Sequence, residues 1–164
     1  MTHGTTNVIF RTATNADVER VRNLVFGILV EYGLRPEPEG TDADIADLEG
    51  NYIAPGGVFE CIEDADGNLL GTFGLFRLSD DEIELRKMYL ARAARGKGIG
   101  KLALTRAVEQ ARALGYRTLS LETASVLKEA IAMYEKFGFQ RVAHQPCVAR
   151  CDQGYTFDLE KAGT

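Results

Sequence analysis

The chain has 164 residues, the length of one domain rather than two. Hydrophobic residues make up 45% and charged residues 26%, which excludes a disordered chain because enough apolar surface is present to build a core. A net charge of -5 argues against a nucleic-acid partner, and no apolar run reaches the ~18 residues of a membrane span.

Residues 1–7 are neither basic nor apolar, so no secretory leader is expected there. Residues 8–13 are rich in β-branched side chains and predict a first strand. Thr14 or Asn15 can cap the helix that comes next. Its apolar positions, Val18, Val21, Leu24, Val25, Ile28 and Leu29, recur at helical spacing to about Tyr32, where Gly33, Pro36 and Pro38 stop it. A second, acidic helix is predicted near 42–52, and Pro55-Gly56-Gly57 is a break. Residues 58–62 and 69–78 read as strands joined through Asp66-Gly67-Asn68, and 82–90 as a further strand. The segment 91–100 then opens directly into a helix carrying Leu104, Ala107, Val108, Ala111 and Leu114, with Gly115 at its stop. Residues 118–122 predict a strand. Leu127, Ala130, Ile131 and Tyr134 mark a last helix closed by Gly138, and 140–143 and 155–159 predict two final strands. The order β-α-α-β-β-β-α-β-α-β-β places the chain in the α/β class with a mixed sheet, and the unit 82–122 should be a parallel crossover.

Charge is distributed unevenly along these elements. Residues 85–108 contain no acid but hold Arg86, Lys87, Arg92, Arg95, Lys97, Lys101 and Arg106, whereas 31–49 is dense in Asp and Glu. Alternating glycines between a strand and a helix start let backbone approach a ligand, and the unpaired amides of the first turn point at it. The field at a helix end contributes only ~0.3–2 kcal/mol, so basic side chains must supply much of the remaining attraction for a phosphate. A nucleotide P-loop is excluded: Gly100-Lys101 is followed by Leu102, and the first glycine position is Arg95. A dinucleotide fingerprint fits better, with Gly98-x-Gly100-x-x-Ala103 and Glu122 at a ribose-binding distance. Its glycines should follow the strand at once, however, and here they do not.

Arg95-Gly96-Lys97-Gly98-Ile99-Gly100 resembles the (R/Q)-x-x-G-x-(G/A) acetyl-CoA loop of the GNAT superfamily N-acetyltransferases. Ala130-Ile131-Ala132-Met133-Tyr134-Glu135-Lys136-Phe137-Gly138-Phe139 resembles that family's A-I-x-L-Y-E-K-x-G-F segment, in the expected order and separation. The resemblance implies one GNAT-like domain over 1–164, with a mixed, mostly antiparallel sheet of about seven strands flanked by about four helices. It implies acetyl-CoA as co-substrate, its diphosphate on Arg95, Gly96, Lys97, Gly98, Ile99, Gly100 and Lys101. Its pantetheine arm would pair with Met88, Tyr89 and Leu90, with further contacts from Leu127 and Lys136. Tyr134 would face the sulfur as general acid. The chain departs from the family at Leu127, where many members carry a cofactor-touching Asn; Ser125 or Lys128 is the candidate substitute.

The chemistry adds a base. An alkylamine of pKa near 10.4 is ~3.4 units from neutral at pH 7, which costs ~4.6 kcal/mol to correct. A thiolate of pKa ~8.5 leaves more readily, so a phenol acid of pKa ~10 helps less than a base. Glu84, and second Glu122, are the candidates, either acting through water. His144-x-x-Cys147-x-x-x-Cys151 lacks a fourth ligand and any standard zinc spacing, so no metal is expected, and no G-x-S-x-G is present. Cys61, Cys147 and Cys151 cannot all pair in one chain, which favours a reducing, cytoplasmic setting. The reading is direct acetyl transfer to a primary amine of a small molecule or peptide, entering past the first helix, the acidic segment and the last strands. Arg150 and Asp152, before the final strand, are the positional candidates for acceptor contacts. A second copy of the chain is a candidate partner. The alternatives are a coenzyme-A-binding module without turnover and a dinucleotide-dependent oxidoreductase.

Overall fold

The computed structural model describes residues 7–143 and 150–161. Along the chain run β1 (Ile9–Thr12), α1 (Val18–Glu31), β2 (Val58–Glu63), β3 (Leu69–Arg77), β4 (Glu82–Leu90), α2 (Ile99–Ala113), β5 (Thr118–Thr123), α3 (Lys128–Phe137), β6 (Gln140–Val142) and β7 (Gln153–Asp158). The strands form one sheet in the order β1-β2-β3-β4-β5-β7-β6. Among these neighbours the β4–β5 pair alone is parallel, as the crossover through α2 requires.

Sequence and structure agree element by element with one exception. Thr14 does cap the first helical segment, accepting from the Ala16 amide while Asp17 reaches back to the Thr14 amide. The acidic segment predicted as one helix instead forms a 3-10 turn, Ala43–Ala46, and a π turn, Glu49–Ile53. Its acids explain the interruption. Asp42 and Asp44 turn inward to meet cations, and Asp47 bonds the Gly50 amide at 2.8 Å, so side chains compete with regular helix bonding. Ile45, Leu48 and Tyr52 of this segment are nevertheless fully buried against α1 and the sheet.

Two cores lie on opposite faces of the sheet. α2 sets Leu104, Ala107, Val108 and Ala111 against Leu75, Ile83, Leu85 and Leu119. α1 sets Val21, Val25 and Leu29 on the other face with Phe59 and Tyr52. Burying such side chains contributes about 1.5–3 kcal/mol each.

β4 departs from regular pairing in two places. Its pairing with β5 spans only Glu82↔Thr118, Ile83↔Leu119 and Glu84↔Ser120, after which the two strands continue without pairing. Against β3 it carries a bulge: Phe73 alone faces Lys87 and Met88, between the pairs Gly74↔Arg86 and Thr72↔Tyr89. Lys87 adopts φ 55°, a left-handed conformation uncommon for a non-glycine residue. The neighbourhood holds it there. The buried Thr72 hydroxyl donates to the Lys87 carbonyl at 2.7 Å, and the Lys87 ammonium lies 3.2 Å from both Asp42 and Asp44. Replacing Thr72 with valine is therefore expected to cost about 1–3 kcal/mol of stability in a denaturant titration, because it removes a hydroxyl donor from a buried carbonyl.

Candidate active site

Where β4 and β5 part, a cavity of about 740 Å³ opens between the sheet, α1 and α3. Its walls combine the β4 residues Glu84, Met88, Tyr89 and Leu90 with Glu122 on β5 and Tyr134 on α3.

One end of the cavity is built by the glycines. Gly96 and Gly98 have φ of 76° and 81°, and Gly98 is the cap residue of α2. These left-handed turns bring consecutive amides together ahead of the helix. The first amide of the turn to bond back is that of Leu102, to the Gly98 carbonyl at 3.1 Å, so the amides of Ile99, Gly100 and Lys101 precede the helical ladder. A Cβ on Gly100 would come within 3.3 Å of the Met133 sulfur, tighter than ordinary contact, so α3 packs against this turn. Gly96, Gly98, Gly100 and Lys101 all line the cavity. Amides ahead of the helical ladder, a positive helix end and Lys101 in the lining are a donor set that fits a diphosphate.

Most of the basic stretch serves another purpose. Arg95 grips Glu31, with N···O distances of 2.6 and 2.9 Å, donates to the Leu90 carbonyl at 3.0 Å, and lies over the Tyr32 ring. Arg92 joins it on Glu31, Arg86 pairs with Glu84, Lys87 with Asp42 and Asp44, and Arg106 with the buried Glu60. Among the described residues, Lys97 and Lys101 are the cations of that stretch without a carboxylate partner. The concentration of positive charge thus reflects long-range ion pairs as much as ligand attraction.

The Glu31 tie joins the end of α1 to the glycine loop. Hydrogen bonds from Arg95, then Arg92, hold the Glu31 carboxyl down at about 2 from its usual 4.5. A carboxylate held below its ordinary value contributes its full attraction above about pH 4.5 and loses it as the pH falls toward 2. An NMR titration of the side-chain carboxyl is expected to show Glu31 still ionised at pH 3.5, and substitution of Arg95 by glutamine to return its midpoint toward 4.5.

Glu84 and Tyr134 reach the cavity from different elements, β4 and α3. Glu84 is mostly buried and takes a hydrogen bond from Arg86 Nε, whose guanidinium lies 3.8 Å over the Phe76 ring. Tyr134 packs its ring against Phe139 and Tyr155. Burial, and then the neighbouring Tyr89, raise its hydroxyl well above the ordinary phenol range, so it holds its proton at neutral pH. Burial likewise pushes the Cys151 thiol up to about 11, so this cavity-lining sulfur is a thiol and not a nucleophilic thiolate at neutral pH.

A model of the acetyltransferase (GNAT) family matches residues 24–139. The chain belongs to the acetyltransferase (GNAT) family. It is 36% identical over 138 residues, 82% of this chain and 83% of the relative, to YjgM, an uncharacterized N-acetyltransferase of Escherichia coli K12. An acetyltransferase of the GNAT family from Staphylococcus aureus Mu50 shares the fold with TM-score 0.87 at 21% identity, over 94% of this chain and all of that one. A spermidine N-acetyltransferase from Vibrio cholerae, in complex with CoA and spermine, superposes with TM-score 0.72 at 20% identity, over 94% of this chain and 96% of that one. The GNAT-like α/β architecture implied by the motif resemblance is therefore the observed one.

Within that GNAT frame, Glu84, Met88, Tyr89, Leu90, Arg95, Gly96, Gly98, Gly100, Lys101, Glu122, Leu127 and Tyr134 share the cavity. Three other expected residues do not present side chains to it. Ile99 is buried in the α2 core, while Lys97 and Lys136 are outside the cavity lining. Leu127 occupies the N-cap of α3 without a side-chain cap bond. Ser125 bonds Asp152 through both its amide and its hydroxyl at 2.8 Å, and neither Ser125 nor Lys128 is in the cavity lining. His3, His144 and Cys147 lie outside the described residues. Among the described residues no group of His, Cys, Asp and Glu is placed to hold a metal ion, and no helix is long and apolar enough to cross a membrane.

The sequence singles out Arg150 by position but gives no sign of the ion pairs that it and Lys87 make with Asp42. Arg150 holds the fully buried Asp42 through two bonds of 2.6 and 2.8 Å, and Lys87 reaches the same carboxylate from β4. This tie fastens the acidic segment and the connection before β7 to the bulge. Breaking a buried pair of this kind costs several kcal/mol, so it fixes the cavity wall. Position alone nominates Arg150, but its partner 108 residues away has no local sequence signal.

Proposed function

We propose that this GNAT protein transfers an acetyl group directly from acetyl-CoA to a primary amine of a small molecule or peptide, working as one domain over residues 1–164 in the cytoplasm. The reading is carried by one arrangement: the glycine loop at 96–101 and the divergence of β4 from β5 open into the same cavity, with Glu84 and Tyr134 in its lining. The bound thioester supplies the activated acyl group. The cradle amides and Lys101 hold the diphosphate, and the unpaired edge of β4 at Met88, Tyr89 and Leu90 offers backbone partners to the arm.

Glu84 takes the proton lost by the acceptor amine, with Glu122 as the second candidate. Tyr134, protonated at neutral pH, donates to the departing sulfur. Cys151, a thiol rather than a thiolate, is not used as a covalent carrier, which favours direct transfer. Acceptor entry lies between Ile28 and Tyr32 of the α1 side, Thr41 of the acidic segment, and Thr156 on β7. Glu82, Glu84 and Glu122 on that side suit a cationic amine.

Thiol release from acetyl-CoA, measured across a panel of polyamines, amino acids and peptide N-termini, tests this reading. Amine-dependent release with one equivalent of acetylated amine is expected. Binding of acetyl-CoA without release by any amine would support the non-catalytic reading instead.

A further inference from the structure

The cavity floor contains a polar atom to which direct acetyl transfer assigns no role. Ser120 is paired in register with Glu84 across the parallel strands, at the last pair before β4 and β5 separate. On its other side Ser120 faces Thr156 of β7. In-register residues point to the same face of a sheet, so Glu84, Ser120 and Thr156 form one row beneath the opening, and all three line the cavity. The Ser120 hydroxyl oxygen is buried and has no hydrogen-bond partner among the described residues. A serine hydroxyl offers one donor and two acceptor positions, and burying all of them unsatisfied is unfavourable.

We infer that Ser120 is a positioning residue for the proton transfer, holding, together with the Glu84 carboxylate, the water through which the acceptor amine loses its proton. This deepens the proposed function and rests on its assignment of Glu84. Adjacent strands lie about 4.8 Å apart, a separation that one water spans while bonding an oxygen on each. Such a water needs at least two polar partners, and the row supplies Ser120, Glu84 and Thr156. Arg86 occupies one Glu84 oxygen, Oε1, and the same hydrogen bond fixes the plane of the carboxylate. In the reaction the amine nitrogen forms its bond to the acyl carbon as the carbon–sulfur bond breaks. The proton that the ammonium must lose before attack passes to the water, whose own proton goes to Glu84; the thiolate takes a proton from Tyr134, and the proton the nitrogen sheds on becoming an amide replaces it. Ser120 gains and loses nothing; its role is to aim the water.

The test is a double-mutant cycle of Ser120→Ala and Glu84→Gln in the full chain, with kcat, KM for acetyl-CoA and thermal midpoint measured for each. Ser120→Ala is expected to lower kcat by about tenfold, leave KM for acetyl-CoA within about twofold, and leave the thermal midpoint unchanged or higher, since the lost hydroxyl had no partner among the described residues. The double variant is expected to be no slower than Glu84→Gln alone, because both act on one proton path. Wild-type kcat in Ser120→Ala while Glu84→Gln is crippled overturns the Ser120 assignment alone, as do multiplicative losses or a loss that accompanies a lowered thermal midpoint. A wild-type rate in Glu84→Gln removes the base assignment and this inference with it. A crystal structure with a water bonded to both Ser120 Oγ and the Glu84 carboxylate supports it independently.

Discussion

Glu84→Gln is expected to reduce kcat about a hundredfold at neutral pH and leave acetyl-CoA affinity within about twofold. The substitution keeps shape and retains an oxygen to accept from Arg86, so the Arg86–Phe76 stack beneath it should persist. What it removes is the basic group. An alkylamine with pKa near 10.4 is overwhelmingly protonated at pH 7, and neutralising it costs ~4.6 kcal/mol, which is the barrier a positioned base addresses. The departing thiolate, of pKa ~8.5, needs less help. Tyr134→Phe is therefore expected to cost less than Glu84→Gln, and the burial that raises the phenol above its ordinary range makes it a weaker acid still. Lowering the acceptor pKa should narrow the difference between the two variants. Pre-steady-state and steady-state kcat with amines of graded basicity measure this. A Glu84→Gln enzyme at wild-type rate, with Glu122→Gln crippled, would move the base to β5.

The second large effect is expected at the cradle. Gly98 sits at φ 81°, ψ 2°, where a β-branched residue is strongly disfavoured. Gly98→Val should force the turn to rebuild and swing the amides that precede α2 away from a common point. Hydrogen bonds to a charged group contribute about 1.5–3 kcal/mol each, so misdirecting even one is expected to raise KM for acetyl-CoA at least tenfold. Gly67, at φ 83° in the β2–β3 hairpin, offers a matched control. Gly67→Val imposes similar backbone strain outside the cavity lining and should lower stability without changing KM. Equal KM values for the two variants would show that the Gly98 effect is general destabilisation.

Much of this architecture is legible in the sequence because it depends on local periodicity and turn chemistry. β4, α2 and α3 are bounded by signals the chain carries openly: the Asp80-Asp81 turn, the glycine run, and Gly115 and Gly138 at left-handed helix stops. The acidic segment reads as one helix because its pattern of Ile45, Leu48 and Tyr52 is helical, while the acids that interrupt it answer to Lys87 and Arg150, far away in sequence. The same cause makes the positive charge in 85–108 look more available to a ligand than it is. Pairing of Arg92 and Arg95 with Glu31, and of Arg106 with Glu60, is a tertiary property with no local signature. The bulge at Lys87 is invisible for a related reason: a lysine gives no hint of a positive φ. Glu84 and Tyr134 can be nominated from residue type and resemblance, whereas Ser120 becomes notable only once register sets it beside Glu84.

Backbone amides in 96–101 are proposed to hold the diphosphate of coenzyme A. A crystal structure of the chain with coenzyme A tests it most directly. Diphosphate oxygens are expected within hydrogen-bond distance of several of those amides, with the thiol end directed between β4 and β5 toward Tyr134. Coenzyme A bound elsewhere with these amides facing solvent, or a nicotinamide dinucleotide seated on them in its place, would contradict it.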